Sequence, residues 1–258
     1  MRNIRLSSLL LVALAALLLV APVAAQETVD DVIAKNIEAR GGMDAINKVE
    51  SAVIKGAMAM GGMEMPFTIT WKRPNMVRMD FEMQGMTGTQ AYDGEQAWMQ
   101  MPFGGNPNPE PMPDSQIDQV KEMADWIEGP LINYKDKGHT VELVGKEDVD
   151  GTEAYKLKIT HTGGRVVESW IDAEYFLEFQ QKSEQDMMGQ KVTMLTTFGD
   201  FKEVAGVMLP HAFDNMAEGA AAGQSFLLKE IEIGADVDAA VFTMPEAKDD
   251  HAGHAHRH

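Results

Sequence analysis

Residues 57–71 read AMAMGGMEMPFTITW, two short runs in which like side chains recur at every second position on either side of Gly61-Gly62. Period-two alternation marks a half-buried strand, and a Gly-Gly pair tolerates the positive φ that a two-residue hairpin turn demands. The pattern predicts a hairpin in which Met60 faces Met63 and Met58 faces Met65, with Phe67, Ile69 and Trp71 continuing the same face. The other face carries Glu64, Thr68, Thr70 and Lys72. One side is apolar and polarizable while the other is wet. Flexible thioethers fill irregular gaps, which suits a wall around a greasy guest of variable shape, and equally an ordinary half-sheet core rich in methionine.

The same period continues beyond a corner at Lys72-Arg73-Pro74-Asn75, where Val77, Met79, Phe81 and Met83 alternate with Arg78, Asp80 and Glu82. Turns at Gln84-Gly85 and Asp93-Gly94 predict strands over 86–92 and 95–101. From residue 139 onward the pattern predicts strands near 139–144, 153–161, 165–171, 176–183, 191–198, 208–216 and 224–233. Helical spacing occurs in 29–40, where Val29, Val32, Ile33 and Ile37 form a stripe that Gly41-Gly42 ends, and a further helical turn is expected over 44–48. Residues 102–113 are rich in Pro, Gly and Asn and read as a mobile surface loop. Asp114-Ser115 then caps a predicted helix through 127 bearing Ile117, Val120, Ala124 and Ile127, with Gly129-Pro130 as its stop. The expectation is a mainly β, α+β fold of about eleven strands in sequential hairpins. An antiparallel sheet of that size must curl, because twist accumulates strand by strand. Its amphipathic helices either plug the concave face or leave a lined pocket.

Charge and the chain ends narrow the classes. Arg2 and Arg5 precede an apolar run from 9 to about 20 and then Val23-Ala24-Ala25, the pattern of a secretory signal peptide over 1–25 with cleavage after Ala25. The run is shorter than the about 20 residues of a comfortable membrane span, so an exported periplasmic product is expected, not an integral membrane protein. One domain over 26–246 and a disordered tail over 247–258 complete the expected organisation. With no cysteine the chain carries neither disulfides nor a lipid on an N-terminal Cys. Forty acidic against 22 basic side chains, a net charge of -18, argue against nucleic acid and anionic membrane surfaces.

Candidate chemistry is sparse. No Cys nucleophile, Gly-x-Ser-x-Gly elbow, phosphate-binding loop or His-Glu-x-x-His is present, and His139, His161 and His211 lie scattered near strand ends, so no catalytic residue is expected. No cofactor is expected either, beyond weak or adventitious transition-metal capture by His251, His254, His256 and His258 in the tail. The thioethers of Met58, Met60, Met63 and Met65 also suit Cu(I), which leaves a periplasmic copper-handling protein as an alternative.

Two segments, TWKRPNMVRMDF (70–81) and AYDGEQAWMQMP (91–102), with echoes in EARGGMDAINKV (38–49), ELVGKEDVDGTEAYKLKI (142–159), DFKEVAGVMLPH (200–211) and VFTMPE (241–246), resemble the LolA-like family of periplasmic lipoprotein carriers. The resemblance implies an unclosed β-barrel whose concave face, lidded by helices, shelters acyl chains. It implies that Arg73 latches the lid, a task suited to a rigid fork of five donors. It also implies an inner-membrane extraction transporter and an outer-membrane acceptor as partners. The wall expected to line the acyl site is Met58, Met60, Met63, Met65, Phe67, Ile69, Trp71, Met79, Phe81 and Met83. The function expected is carriage of lipid or lipoprotein acyl chains, with a lipid-sensing interaction module as the further alternative.

Overall fold

The computed structural model describes residues 27–187 and 190–246; the leader reading of 1–25 and the histidine-tail reading of 247–258 fall outside them. Strands β1 (Ser51–Met60), β2 (Met63–Lys72), β3 (Met76–Met83), β4 (Met86–Tyr92), β5 (Ala97–Met101) and β6 (Asn106–Pro111) follow one another as antiparallel neighbours. So do β7 (Thr140–Val149), β8 (Thr152–Thr160), β9 (Val166–Asp172), β10 (Glu178–Met187), β11 (Gln190–Val204), β12 (Val207–Ala217) and β13 (Gln224–Ile233). Pairing of β1 with β13 joins the two runs into one thirteen-stranded sheet whose order is β6-β5-β4-β3-β2-β1-β13-β12-β11-β10-β9-β8-β7. The sheet ends in β6 and β7 and does not close on itself.

The hairpin register is the one the alternation predicts, with Met60 opposite Met63 and Met58 opposite Met65. The strand count is thirteen where the pattern suggested about eleven, and the expected mobile loop over 102–113 is structured. A short 3-10 turn, Pro102–Gly104, leads into β6, which pairs with β5 through Met101↔Asn106, Met99↔Glu110 and Trp98↔Pro111. Prolines are tolerated there because β6 is an edge and need not donate outward.

Helix α1 (Val29–Ala39) begins at a Thr28–Asp31 capping box and buries Val32, Ile33 and Asn36. Helix α2 (Gly42–Asn47) starts two residues ahead of its expected position. Its cap, Gly41, has φ 106°, and a Cβ there would lie 2.0 Å from the Gly206 carbonyl, so only glycine fits this contact with the β11–β12 turn. Helix α3 (Asp114–Ala124) ends three residues before 127 and has Pro113, not Asp114, at its cap position. Residues 125–138 continue as turns.

Two apolar clusters lie under these helices on one face of the sheet. One joins Ile46, Val120, Ala124, Ile127 and Ile132 to Trp71, Val77, Tyr92 and Leu209, and the other joins Val32, Ile33 and Leu131 to Leu157, Ile159 and Ile171. The turn segment after α3 therefore feeds both, since Ile132 enters one and Leu131 the other. On the opposite face the segment after β13 crosses β2, β3 and β5. Lys72 donates to Val237 O at 2.6 Å, Arg78 to Val241 O at 3.0 Å and the Trp98 indole to Phe242 O at 2.6 Å.

Gly88 of β4 is a packing constraint, for a Cβ there would stand 2.6 Å from the Phe81 ring and 2.8 Å from the Phe103 ring. Gly88→Val is expected to cost about 1–3 kcal/mol by overpacking, read as a lower urea midpoint. Gly163→Ala, in open space, is expected to stay within about 0.5 kcal/mol of the parent.

Candidate functional site

The face that carries the helices is the concave one, marked by the Trp71 indole donating to Ala124 O at 2.6 Å and by Trp71 packing edge-on against Trp126 at 5.9 Å. Because register partners share a face, the pairings lay its side chains out in rows across the strands. Ala52, Trp71 and Val77 form the row beneath α3. Next come Ile54, Ile69 and Met79, then Gly56, Phe67 and Phe81, then Phe198, Phe213, Phe226, Met58 and Met65. The outermost row is Thr196, Asn215, Gln224, Met60 and Met63.

All ten expected wall residues thus lie on one face, in a gradient of exposure. Trp71 is 1% exposed, Phe67 4% and Met65 6%, whereas Met60 is 39% and Met63 59% exposed. Met58, Ile69, Met79, Phe81 and Met83 are half-buried. The helices plug the Trp71 end, and the end near the Gly61-Gly62 turn is left uncovered. The site is a trough rather than the lined pocket the sequence allowed for. The two cavities described lie elsewhere: about 340 Å³ among Gln100, Pro107, Pro109 and Pro245, and about 140 Å³ among Glu27, Leu143, Lys146 and Tyr155.

Two glycines shape the trough floor. A Cβ on Gly56 would meet the Phe67 ring at 2.5 Å, and one on Gly88 the Phe81 ring at 2.6 Å, so each ring occupies the space that a side chain on the paired strand would fill. Phe103, from the segment expected to be loop, sits 5.6 Å from Phe81. Phe226 stacks on Phe213 at 4.5 Å and meets Phe67 edge-on at 6.1 Å, and Phe198 follows at 6.5 Å from Phe213. The sequence reading missed Phe103, Phe198, Phe213 and Phe226. The alternation of Phe198, Phe213 and Phe226 was visible, but their adjacency to the methionines follows only from the β1–β13 pairing, and Phe103 stood in a segment read as loop.

Arg73 stands at the corner between β2 and β3. Its guanidinium donates to Val49 O at 2.8 Å, Ile46 O at 3.0 Å and the Glu128 carboxylate at 2.7 Å, tying the end of α2 to the segment after α3. Arg40, which the sequence reading did not single out, reaches the same segment at Ile127 O (2.5 Å) and Glu128 O (3.3 Å). Burial lowers the pKa of Arg40, against the pull of Glu178, Asp125 and Glu128. At Glu128 burial raises the carboxyl, but Arg73 and Lys137 outweigh it and hold it below the ordinary range. Glu178, on β10 beside Arg40, is pushed up by burial even though Ser169 and Gln181 donate to it.

A second tie links α3 to the β8–β9 turn. Arg165 contacts Glu122 of α3 and lies 3.3 Å from His161 Nε2, and the His161 ring packs 4.7 Å from that of His139. Burial, Arg165 and His139 together push His161 down to about 4, with Asp118 opposing. His211 is buried, with its Nδ1 3.1 Å from Leu209 O. Among the described residues no three or more His, Cys, Asp or Glu are grouped to hold a metal, and no helix is long and apolar enough to cross a membrane. Trp126 Nε1 is the sole buried side-chain polar atom without a partner among the described residues.

No family model matches the sequence, and no curated protein matches it. Solved structures do. A LolA superfamily protein from Nitrosomonas europaea shares 15% identity at a TM-score of 0.59, over 84% of this chain and 98% of that one. A DUF1329 family protein from Desulfovibrio piger shares 13% identity at 0.58, over 84% and 98%. A domain described as an outer-membrane lipoprotein-sorting protein from Vibrio parahaemolyticus shares 10% identity at 0.54, over 82% and 94%. At such identities the likeness is one of fold, and the fold is LolA-like.

Loss of the clamp is expected to be costly. Arg73→Leu leaves Glu128 without its guanidinium partner and is expected to destabilise by about 2 kcal/mol, allowing for partial exposure of the pair. Amide exchange should rise across residues 114–138, and Arg73→Lys should recover only part of the loss, because an ammonium cannot reproduce the fork.

His161 makes a pH prediction. Its folded pKa of about 4 lies below the ordinary 6.5, so between those values the unfolded chain binds the extra proton and stability falls as pH is lowered. Glu122 and Asp125, raised by burial, act in the opposite sense. His161→Gln should therefore lose less stability than the parent between pH 7 and pH 4.5 in urea titrations, and equal losses would contradict the assignment.

Proposed function

We propose that this chain is a periplasmic carrier that takes lipid or lipoprotein acyl chains on its concave face and hands them on toward the outer membrane. One observation carries the reading: the concave rows of β1 to β4, β12, β13 and residues 190–198 contain no Asp, Glu, Lys or Arg. They run from a buried floor at Trp71 to an exposed rim at Met63. A soluble protein rarely leaves a contiguous apolar surface open without a guest for it. The LolA-like fold supports the same reading.

The physical demands fit. Each buried methylene contributes about 0.8 kcal/mol, so one long acyl chain brings on the order of 10 kcal/mol before any cost of opening the site. Affinity is easily obtained and release is the harder requirement. Methionine walls help there, because they pack many guest shapes without committing to one. The Arg40 and Arg73 clamp fixes the covered end, so that the guest enters and leaves at the open one. The delivery partners are an inner-membrane extraction transporter and an outer-membrane acceptor, and the leader-like residues 1–25 supply export. The four hairpin thioethers would serve Cu(I) as well, but the Met58–Met65 row continues into Phe226 and Phe213 and the next row inward holds Phe67 and Phe81, which serve only a hydrophobic guest.

Binding of an uncharged fluorescent acyl probe, a parinaric acid methyl ester, tests the reading. The parent protein should enhance its emission saturably, and Met60→Glu/Met63→Glu should lose that binding while keeping the β-rich circular dichroism spectrum. Both side chains are exposed enough for carboxylates to be tolerated by the fold. Undiminished binding by the double variant would place the site elsewhere.

A further inference from the structure

The outermost concave row differs in chemistry from every row beneath it. Thr196 Oγ1 donates to Asn215 Oδ1 at 2.7 Å, Asn215 is the register partner of Gln224, and Gln224 Nε2 lies 3.4 Å from the Met60 sulfur. Three neutral hydrogen-bonding side chains from three adjacent strands are thus set side by side. They stand one row, roughly 7 Å, outward of Phe198, Phe213 and Phe226. Thr196 fixes the Asn215 amide through its oxygen, which leaves the Asn215 nitrogen, and likewise the Gln224 oxygen, without a hydrogen-bond partner among the described residues. All three side chains are half-buried, so the row offers both a donor and an acceptor at the mouth of an apolar trough.

Charge is kept off this row. Lysines of this part of the sheet lie on the other face and are matched there, Lys55 with Glu230 at 3.0 Å, Lys229 with Glu64 at 2.8 Å and Lys182 with Glu218 at 2.8 Å, while Lys202, the register partner of Leu209, stands three rows inward and pairs with Asp200 at 2.7 Å. An anionic head at the rim would be desolvated with no cation in the row itself to receive it, in the field of a chain whose net charge is -18. An ester or amide carbonyl flanked by a hydroxyl meets the row's donors and acceptor at no such cost.

We infer that Thr196, Asn215 and Gln224 form a head-group subsite, which holds the uncharged ester, amide or hydroxyl head of the cargo at the rim while its acyl chain lies along the phenylalanine and methionine rows. The subsite makes the protein selective for neutral-headed lipids over anionic ones of the same chain length. This rests on the carrier reading and adds the orientation and class of the guest.

Competition against the methyl ester probe at pH 8 tests it, with a monoacylglycerol and the free fatty acid of equal chain length, both below their micellar concentrations. The monoacylglycerol should displace the probe about tenfold more effectively in the parent. Asn215→Leu/Gln224→Leu should bring the two competitors within about twofold of each other and, because the probe is itself an ester, weaken the probe as well, and Asn215→Lys should favour the fatty acid. Equal competition in the parent, or a ratio that neither variant moves, overturns the subsite and leaves the carrier reading standing. A parent protein that binds no probe overturns both.

Discussion

Helices α1 and α3 are 11 residues long and α2 is 6, and all three must cover one face of a thirteen-stranded sheet. At about 1.5 Å per residue the longer two reach roughly 16 Å, while thirteen strands spaced about 4.8 Å apart span roughly 60 Å of curl. Coverage is therefore incomplete by construction, and an apolar remainder has to face solvent, a guest or a partner. A closed barrel would have spread the deficit around its bore. Here the two free edges and the single helical layer concentrate it on one part of one face.

Where the deficit falls is decided by two guanidinium groups. Arg73 and Arg40 converge from the β2–β3 corner and the end of α1 on residues 127–128, Arg40 donating to the Ile127 and Glu128 carbonyls and Arg73 to the Glu128 carboxylate. Ile127, Ile132 and Leu131 are then drawn into the two apolar clusters on either side. The covered end is held by polar contacts, which are directional. The uncovered end is lined by side chains whose attraction is not. One end therefore keeps its geometry while the other adapts, a division that suits a carrier better than a rigid receptor.

Much of this was legible in the sequence. Period-two runs placed the hairpin, its register and nearly every strand, and the Lys-Arg-Pro corner pointed to Arg73. What escaped notice did so for physical reasons. Residues 106–111 read as loop because proline removes donors, yet an edge strand needs donors on one side only. Arg40 looked like an ordinary helix-terminal cation, since its partners lie 87 and 88 positions away. The phenylalanines of β11 to β13 were assigned to strands but not to the site. Local patterning shows which way a side chain points relative to its own strand and is silent about which strand lies next to it.

That last point turns on a single extra residue. Lys55 pairs with Glu230, but Gly56 pairs with Leu228, so Lys229 bulges from β13 and reaches Glu64 on the outer face. Ile231 and Ile233 precede the phase change on the concave side, and Leu228, Phe226 and Gln224 follow it on the same side. Without the bulge the odd-numbered phase would continue. Lys229, Leu227 and Ser225 would then face the trough, and Phe226 and Gln224 would face water, because a one-residue slip moves a strand's whole side-chain set across the sheet. The observed exposure agrees, with Leu227 left 47% exposed outside and Leu228 9% exposed within. Gly56 is what admits the bulge, since a Cβ there would stand 2.5 Å from the Leu227 carbonyl. A glycine in one strand and a displaced lysine in its neighbour thus set the aromatic floor and the amide rim on the same side of the molecule.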